Sequence, residues 1–498
     1  MSITSVRWCA GLYDSKMSSS DLQPRRDLTL THATSLVVGI IIGTGVFLKT
    51  ASMAQAVGTP TLVLAAWVVA GVVAMLGALC FAELGALLPH AGGEYVYLRT
   101  AYGEIPGFLF ACNAFVLGGA AVAAYGAAVA IFISDIHPLG HEWLTREVHL
   151  LGVAFTFSFG ARQLLAIGVI AVFAAINCAG VMLGGRVQSI LTAAKAVAIL
   201  GVALGVFLFG GTGTVENLAA PGSANGGIAG FGAAMFAALW AYSGWQFLPM
   251  AAGEVREPQR NLPRAIIGGT LLVLALYLII NTAYLYALPF WQVSSANSTA
   301  YPEAPSVAAR AVQTFLGGRA TLIAALIFLI STIGSLNGVI LSAARVPYAA
   351  ARDGLFFAGF GRLSPGTRVP VTSLVLLAVW GALLAASGTF DQLTNMAVMS
   401  YALFWIPVAL SVIVLRRKLP LAARPYRVPL YPLVPLLFAL VMVWIVASAL
   451  RAAPKESIAT LVLILLGLPL YPLFRKRRLR PAAGETAATV TPTPAPRV

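Results

Sequence analysis

The chain has 498 residues, 59% of them hydrophobic and 10% charged, with a mean hydropathy of +0.87. A soluble domain carries about a quarter of its residues as charged types, so this composition excludes a water-soluble particle of this size and leaves lipid as the solvent. The net charge of +15 invites a nucleic-acid reading, which the placement of the charges removes.

Residues 1–32 read as a cytoplasmic tail. They are not a cleavable signal, because the first apolar run is too long and no small-residue cleavage site follows it. Arg25 and Arg26 read as the flank of the first span rather than a twin-arginine signal, and Met17 is an alternative start. A spanning helix needs about 20 apolar residues. Such stretches predict spans at 33–58, 60–88, 105–133, 165–183, 187–210, 228–253, 264–289, 319–350, 370–388, 391–415, 429–450 and 456–474. The expected fold class is an all-α polytopic membrane protein of about 12 transmembrane helices. Residues 475–498 read as a second cytoplasmic tail, disordered in its Ala-, Thr- and Pro-rich part after Arg480.

With the N-terminus inside, 24 of the 32 lysines and arginines fall in cytoplasmic segments or at their edges. Six fall outside, and Lys49 and Lys195 lie within spans. That asymmetry is the positive-inside pattern. It makes the basic charge an orientation signal, with both termini cytoplasmic and the inner membrane as the expected location. The four cysteines (Cys9, Cys80, Cys112 and Cys178) avoid the outside loops, so no extracellular disulfide is expected. No Cys/His cluster predicts a metal, and no cofactor is expected.

Two spans depart from plain apolar helix. The first carries Gly43-Thr44-Gly45 near its middle, and the sixth carries Trp240-Ala241-Tyr242-Ser243-Gly244-Trp245. Each mid-helix glycine weakens a helix by about 1 kcal/mol. Unwound backbone is tolerated at membrane depth only where protein or a water-filled cavity satisfies it. Close helix packing is the plainer reading of either stretch alone. The two lie five spans apart, however, and transporters built from inverted repeats put broken helices at corresponding positions of their halves. Spans 1–5 (33–210) and 6–10 (228–415) are then the repeats, and 429–474 holds two added helices.

These residues resemble a known family. Gly43-Thr44-Gly45-Val46-Phe47 is similar to the glycine-rich break of the amino acid–polyamine–organocation superfamily. Residues 236–264 look like the sixth helix and following loop of its L-type amino acid transporter branch. Ala91-Gly92-Gly93-Glu94-Tyr95, Ile176-Asn177 with Gly180-Val181, and Ser331-Thr332-Ile333-Gly334-Ser335-Leu336-Asn337-Gly338 extend the likeness over about residues 30–450. The resemblance implies ten core helices in two inverted repeats, an amino acid held at mid-membrane and alternating access.

The site follows from the chemistry of an amino acid. Free N–H groups at a half-helix start suit a carboxylate, and Thr44 and Gly45, with the Thr44 hydroxyl, supply them. Unpaired carbonyls suit an ammonium; by resemblance these belong to Ile41, Trp240 and Ser243. Trp240 matches an aromatic gate in relatives, with ordinary packing as its alternative. Tyr242, Trp245 and Gln246 are secondary pocket candidates; Gln246 and Pro249 depart from the L-type pattern. No carboxylate lies at the depth of the breaks, because Glu83 and Glu254 sit near cytoplasmic span ends. An uncompensated cation there costs several kcal/mol, so neutral L-amino acids are expected over arginine, lysine or polyamines. A carrier of cationic amino acids or polyamines is the alternative within the same fold.

Lys195 lies about 14 Å up the helix from Arg186 at the usual rise. Either it snorkels back, or it fills the sodium place as in the sodium-independent relatives it resembles, bonding Gly43 and Ser331 or Thr332. The second reading argues against sodium coupling and leaves exchange and proton coupling open. Lys49 attracts an acidic substrate, snorkels or pairs locally. Glu254, Arg256, Glu257, Arg260 and Arg264 are expected to cap the inner end and help close a gate.

Two rival classes fare worse. A channel needs a filter sequence, and none is present. An intramembrane enzyme needs a catalytic cluster at membrane depth, whereas all five histidines lie in loops or at span ends. No catalytic residue is assigned. Residues 134–164 hold no cysteine, so no disulfide-linked accessory subunit is expected, although mammalian L-type carriers have one.

Overall fold

The computed structural model describes residues 23–479 apart from 138, 141–142, 151–152, 221–225, 299, 302–303 and 387–389. The expectations for residues 1–22 and 480–498 lie outside the described residues. Among the described residues ten helical segments are long and apolar enough to cross a membrane, and Gly227–Tyr242 and Val371–Ala385 are shorter apolar helices. The protein is thus an all-α polytopic membrane protein.

The first span is two helices, α1 (Leu30–Ile41) and α2 (Gly45–Val57). Thr29 caps α1 by accepting the His32 N–H, and Gly58 ends α2 at a left-handed φ of 74°. Then come α3 (Pro60–Leu87), α4 (Glu94–Tyr102) and α5 (Glu104–Ile136). An antiparallel hairpin of β1 (Leu144–Leu150) and β2 (Val153–Phe159) follows, which the hydropathy reading did not anticipate. Helices α6 (Ala161–Cys178) and α7 (Val181–Phe209) complete the first half.

The sixth span is also two pieces, α8 (Gly227–Tyr242) and α9 (Phe247–Met250). Next are α10 (Pro258–Ala287), α11 (Phe290–Ser294) and α12 (Val307–Leu316). The eighth span is α13 (Ala320–Ala343), followed after Ala344 by α14 (Arg345–Arg352). Helices α15 (Val371–Ala385), α16 (Phe390–Lys418), α17 (Leu433–Ala452), α18 (Pro454–Leu465) and α19 (Tyr471–Leu479) finish the chain.

Burial ranks the spans. The apolar window of Leu30–Val57 is 89% buried inside the protein, and that of Ala161–Cys178 only 22%. The broken first span is therefore central and α6 is peripheral. It is wrapped by α10, α7 and α13 around α1, and by α8 against α2.

Candidate substrate site

The two interruptions meet. A Cβ on Gly45 would lie 2.5 Å from the Ala241 Cα, and one on Gly244, whose φ is +154°, would lie 2.6 Å from the Ile41 N. Glycine is required at both places by backbone approaching backbone. Gly43 is less constrained: its Cβ would meet only side chains, at 3.1 Å from the Ser335 Oγ. The first interruption runs over 42–44, and the second over 243–246, slightly later than the sequence suggested.

The carbonyls freed at the first interruption are taken by donors from distant spans. The Lys195 ammonium on α7, 1% exposed, donates to the Gly39 O at 2.5 Å and the Ile42 O at 2.7 Å, and lies 3.2 Å from the Ser335 Oγ. The Ser331 hydroxyl reaches the Ile42 O at 3.0 Å and the Gly43 O at 3.3 Å. The Ser335 hydroxyl stands 3.1–3.2 Å from the Gly39, Ile40 and Ile42 carbonyls. Gly334 gives the lysine room, since a Cβ there would sit 2.6 Å from its Cε. Lys195 therefore crosses to the first span instead of snorkelling along its own helix. Its carbonyl partners are Gly39 and Ile42 rather than Gly43. Thr332 takes no part in this cage and back-bonds to the Phe328 O at 2.8 Å. Ser331 and Ser335 are four residues apart and share a helix face, whereas Thr332 is turned about 100° away.

The second interruption is held by its own residues. The Gly244 N–H donates to the Gln246 Oε1 at 2.8 Å, and the Gln246 Nε2 donates to the Ser243 Oγ at 2.8 Å. Gln246 is fully buried and acts here as a brace. Tyr277 on α10 joins the two interruptions: its hydroxyl is 2.7 Å from the Ile41 O and 3.0 Å from the Ala241 O. The Ile41 carbonyl, expected to be free, thus already has a donor. The Trp240 carbonyl accepts the Ser243 N–H at 3.3 Å.

The start of α2 is less filled. Among the described residues, neither the Thr44 nor the Gly45 N–H has an acceptor. The Trp240 indole donates to the Thr44 Oγ1 at 3.0 Å, and its ring packs against Tyr125 with centroids 5.3 Å apart. Beyond Trp240 a cavity of ≈ 160 Å³ is lined by Lys49, Ser52, Phe236, Ala237, Thr394, Asn395 and Val398. Lys49 is 8% exposed and lines this cavity. Tyr242 and Trp245 point elsewhere: Tyr242 donates to the Trp67 O at 3.1 Å, and Trp245 packs between Phe81 and Trp405.

The side bearing the N-terminal segment is shut. Leu28, just before α1, pairs as a β-bridge with Val255. Its N–H donates to the Glu254 O at 2.9 Å, and its carbonyl accepts the Arg256 N–H at 2.8 Å. The Glu254 carboxylate, 1% exposed, holds Arg345 by contacts of 2.9–3.3 Å. Asp353 accepts from the Tyr95 hydroxyl at 2.7 Å and pairs with Arg99. Glu83 pairs with Arg416 at 2.6 Å. A larger cavity of ≈ 540 Å³ lies outside this seal, lined by Arg26, His90, Arg99 and Arg352 among others. It does not touch the interrupted segments.

The sequence reading missed Ser335, Tyr277, Gly39 and Gly334. It also missed an amide relay in which Asn177 donates to the Asn337 Oδ1 at 2.9 Å and Asn337 to the Gln188 Oε1 at 2.8 Å. The four-residue spacing of Ser331 and Ser335 was a usable signal. Tyr277 had none, being one aromatic residue in an apolar span.

Two helices interrupted side by side, with half-helix ends facing each other in a bundle of about a dozen spans, define a membrane carrier of the broken-helix type. The chain matches the amino acid permease family over residues 28–468 and belongs to it. It is 31% identical over 468 residues to the serine/threonine exchanger SteT of Bacillus subtilis (strain 168), covering 93% of this chain and 100% of that one. It is 31% identical to the human b(0,+)-type amino acid transporter 1, over 90% of this chain and 88% of that protein. To the large neutral amino acids transporter small subunit 2 of Rattus norvegicus it is 29% identical, over 90% of this chain and 80% of the relative. It is an amino acid–polyamine–organocation permease similar to the L-type branch, and the relatives it matches are transporters rather than enzymes.

Proposed function

We propose that the protein is a sodium-independent secondary transporter of neutral L-amino acids, working by alternating access between two inverted repeats, 33–210 and 228–415. The Thr44 and Gly45 N–H groups take the substrate carboxylate. Carbonyls of Ile41, Trp240 and Ser243 take its ammonium, and Trp240 closes over it. The termini face the cytoplasm, the membrane is the plasma membrane, and no disulfide-linked subunit is needed. Two relatives are named for serine and threonine and for large neutral amino acids, which supports a neutral substrate.

The observation that carries this reading is the Lys195 ammonium caged by the Gly39 and Ile42 carbonyls and Ser335. All three partners are neutral oxygens, the donor set of a sodium ion, and they bridge the first span to the eighth. A tethered cation there leaves no room for a dissolved one. The test is uptake of labelled amino acids into proteoliposomes. Equal rates in sodium and potassium buffer are expected, with neutral amino acids competing and arginine and putrescine not. A strict sodium requirement overturns the Lys195 reading, and strong competition by arginine overturns the neutral preference.

A further inference from the structure

Every other carboxylate in the seal has an arginine. Glu83 has Arg416, Glu254 has Arg345 and Asp353 has Arg99. Glu94 is the exception. It opens α4, it is fully buried, and neither carboxyl oxygen has a hydrogen-bond partner among the described residues. Its charge is felt by Tyr97 on its own helix and by Tyr401 on α16, whose hydroxyls also lack partners among the described residues. The ionised groups around it are taken by others: Glu83 by Arg416, Arg99 by Asp353, Glu254 by Arg345, Glu104 on α5 by the Tyr471 hydroxyl and Lys418 on α16 by the Ala101 O at 2.7 Å. Among the described residues no cation reaches the Glu94 carboxyl oxygens.

The Gly92–Gly93 turn that delivers Glu94 packs on the segment that follows the second interruption. The Gly92 N–H donates to the Met250 O at 2.9 Å, and a Cβ on Gly93 would lie 2.9 Å from the Met250 N. The same segment runs on to Glu254 and the Leu28–Val255 bridge. Opening this side must part Leu28 from Val255 and so disturb the packing of that turn. An ionised carboxylate without a partner is not tolerated in such a place. Burial pushes the Glu94 carboxyl up to about 8.

We infer that Glu94 is a proton-binding site linked to this gate, a neutral acid while the turn stays packed on the Met250 segment and a carboxylate once water enters. The inference rests on the alternating-access reading and adds the proton as a second ligand. The closed state holds the proton between the ordinary carboxyl range near 4.5 and about 8. In that window falling pH favours closure and rising pH favours opening, by up to about tenfold per pH unit.

The experiment attaches a reporter at Ala91, which lines the cavity outside the seal. Ala91→Cys, in a full-length background without the native cysteines, is labelled in proteoliposomes by a membrane-impermeant maleimide between pH 5 and 9. Exchange of labelled amino acid is measured in parallel. Thiol chemistry is itself pH-dependent, so each rate is divided by that of the same protein carrying Glu94→Gln. The expected ratio rises with pH by up to about tenfold per unit and levels off near 8, and Glu94→Asp keeps a rise that Glu94→Gln lacks. A flat ratio, or a Glu94→Asp profile equal to that of Glu94→Gln, overturns the inference. If Glu94→Gln does not insert, Glu94→Asp replaces it as the reference, and an unshifted midpoint overturns the inference. Normal exchange with a flat ratio defeats the Glu94 site alone. A rising ratio without transport of any amino acid defeats the transport reading and leaves the proton site standing.

Discussion

The two interrupted spans are built alike but held differently. At the first, Lys195, Ser331, Ser335 and Tyr277 reach in from three other spans to occupy the freed carbonyls. At the second, Gln246 closes the loop onto Gly244 and Ser243 within three residues. An unwound stretch fixed by remote helices keeps its shape only while those helices stay in place. One fixed by its own side chain carries its shape along. The first interruption therefore reports the arrangement of the bundle, and the second is suited to move as a unit.

That contrast can be broken by substitution. The largest effect belongs to Gly45→Val, because the new side chain meets Ala241 backbone at 2.5 Å with nothing flexible to yield. Uptake falls to background while the protein still inserts, whereas Gly43→Ala, facing side chains only, retains measurable uptake. Wild-type uptake by Gly45→Val would refute the meeting of the two spans as the site. Lys195→Ala comes next. It removes the charged donor from two buried carbonyls that are left with the longer contacts of Ser331 and Ser335, at about 1–3 kcal/mol apiece, and exchange drops by about thirtyfold or more. An alanine variant that transports normally shows the ammonium to be a space-filler.

Gln246→Leu should be milder, since it frees one N–H and one hydroxyl. About 1–2 kcal/mol corresponds to a fivefold to thirtyfold loss in kcat/KM. Because Gln246 shares no partner with Lys195, the two losses add in the double variant. A coupling larger than about 0.5 kcal/mol means the two interruptions are not independently held. Tyr277→Phe is the smallest change. It removes one hydroxyl between two acceptors, worth about 1 kcal/mol, and uptake falls by about fivefold with the helices intact by circular dichroism.

The sequence made the interruptions legible because glycines in the middle of apolar spans contradict helix propensity, and the spacing of five spans set the two at corresponding positions of the two halves. Lys195 stood out for the same kind of reason, being an ionisable group where ions are expensive. What stayed hidden was direction. Ser331, Thr332 and Ser335 are all hydroxyl residues on one helix, and only the helix face decides which two reach the carbonyls. Gln246 sat in the right segment, yet its part as a brace depends on a loop conformation that composition does not specify. The β1–β2 hairpin fell between spans, where hydropathy has nothing to say. Glu94 was noted only as part of a motif. Its isolation is visible once Arg99, Arg345 and Arg416 have been matched to other acids.

The Tyr277 hydroxyl carries one proton and faces two carbonyls, those of Ile41 and Ala241. The Ile41 carbonyl also accepts the Gly43 N–H at 2.7 Å, so two acceptors meet two donors when the tyrosine proton turns to Ala241. The junction needs no ligand to satisfy its backbone. An arriving ammonium, with three donors, competes for acceptors already in use, and the tyrosine proton can turn between the two spans without leaving the Ile41 carbonyl bare.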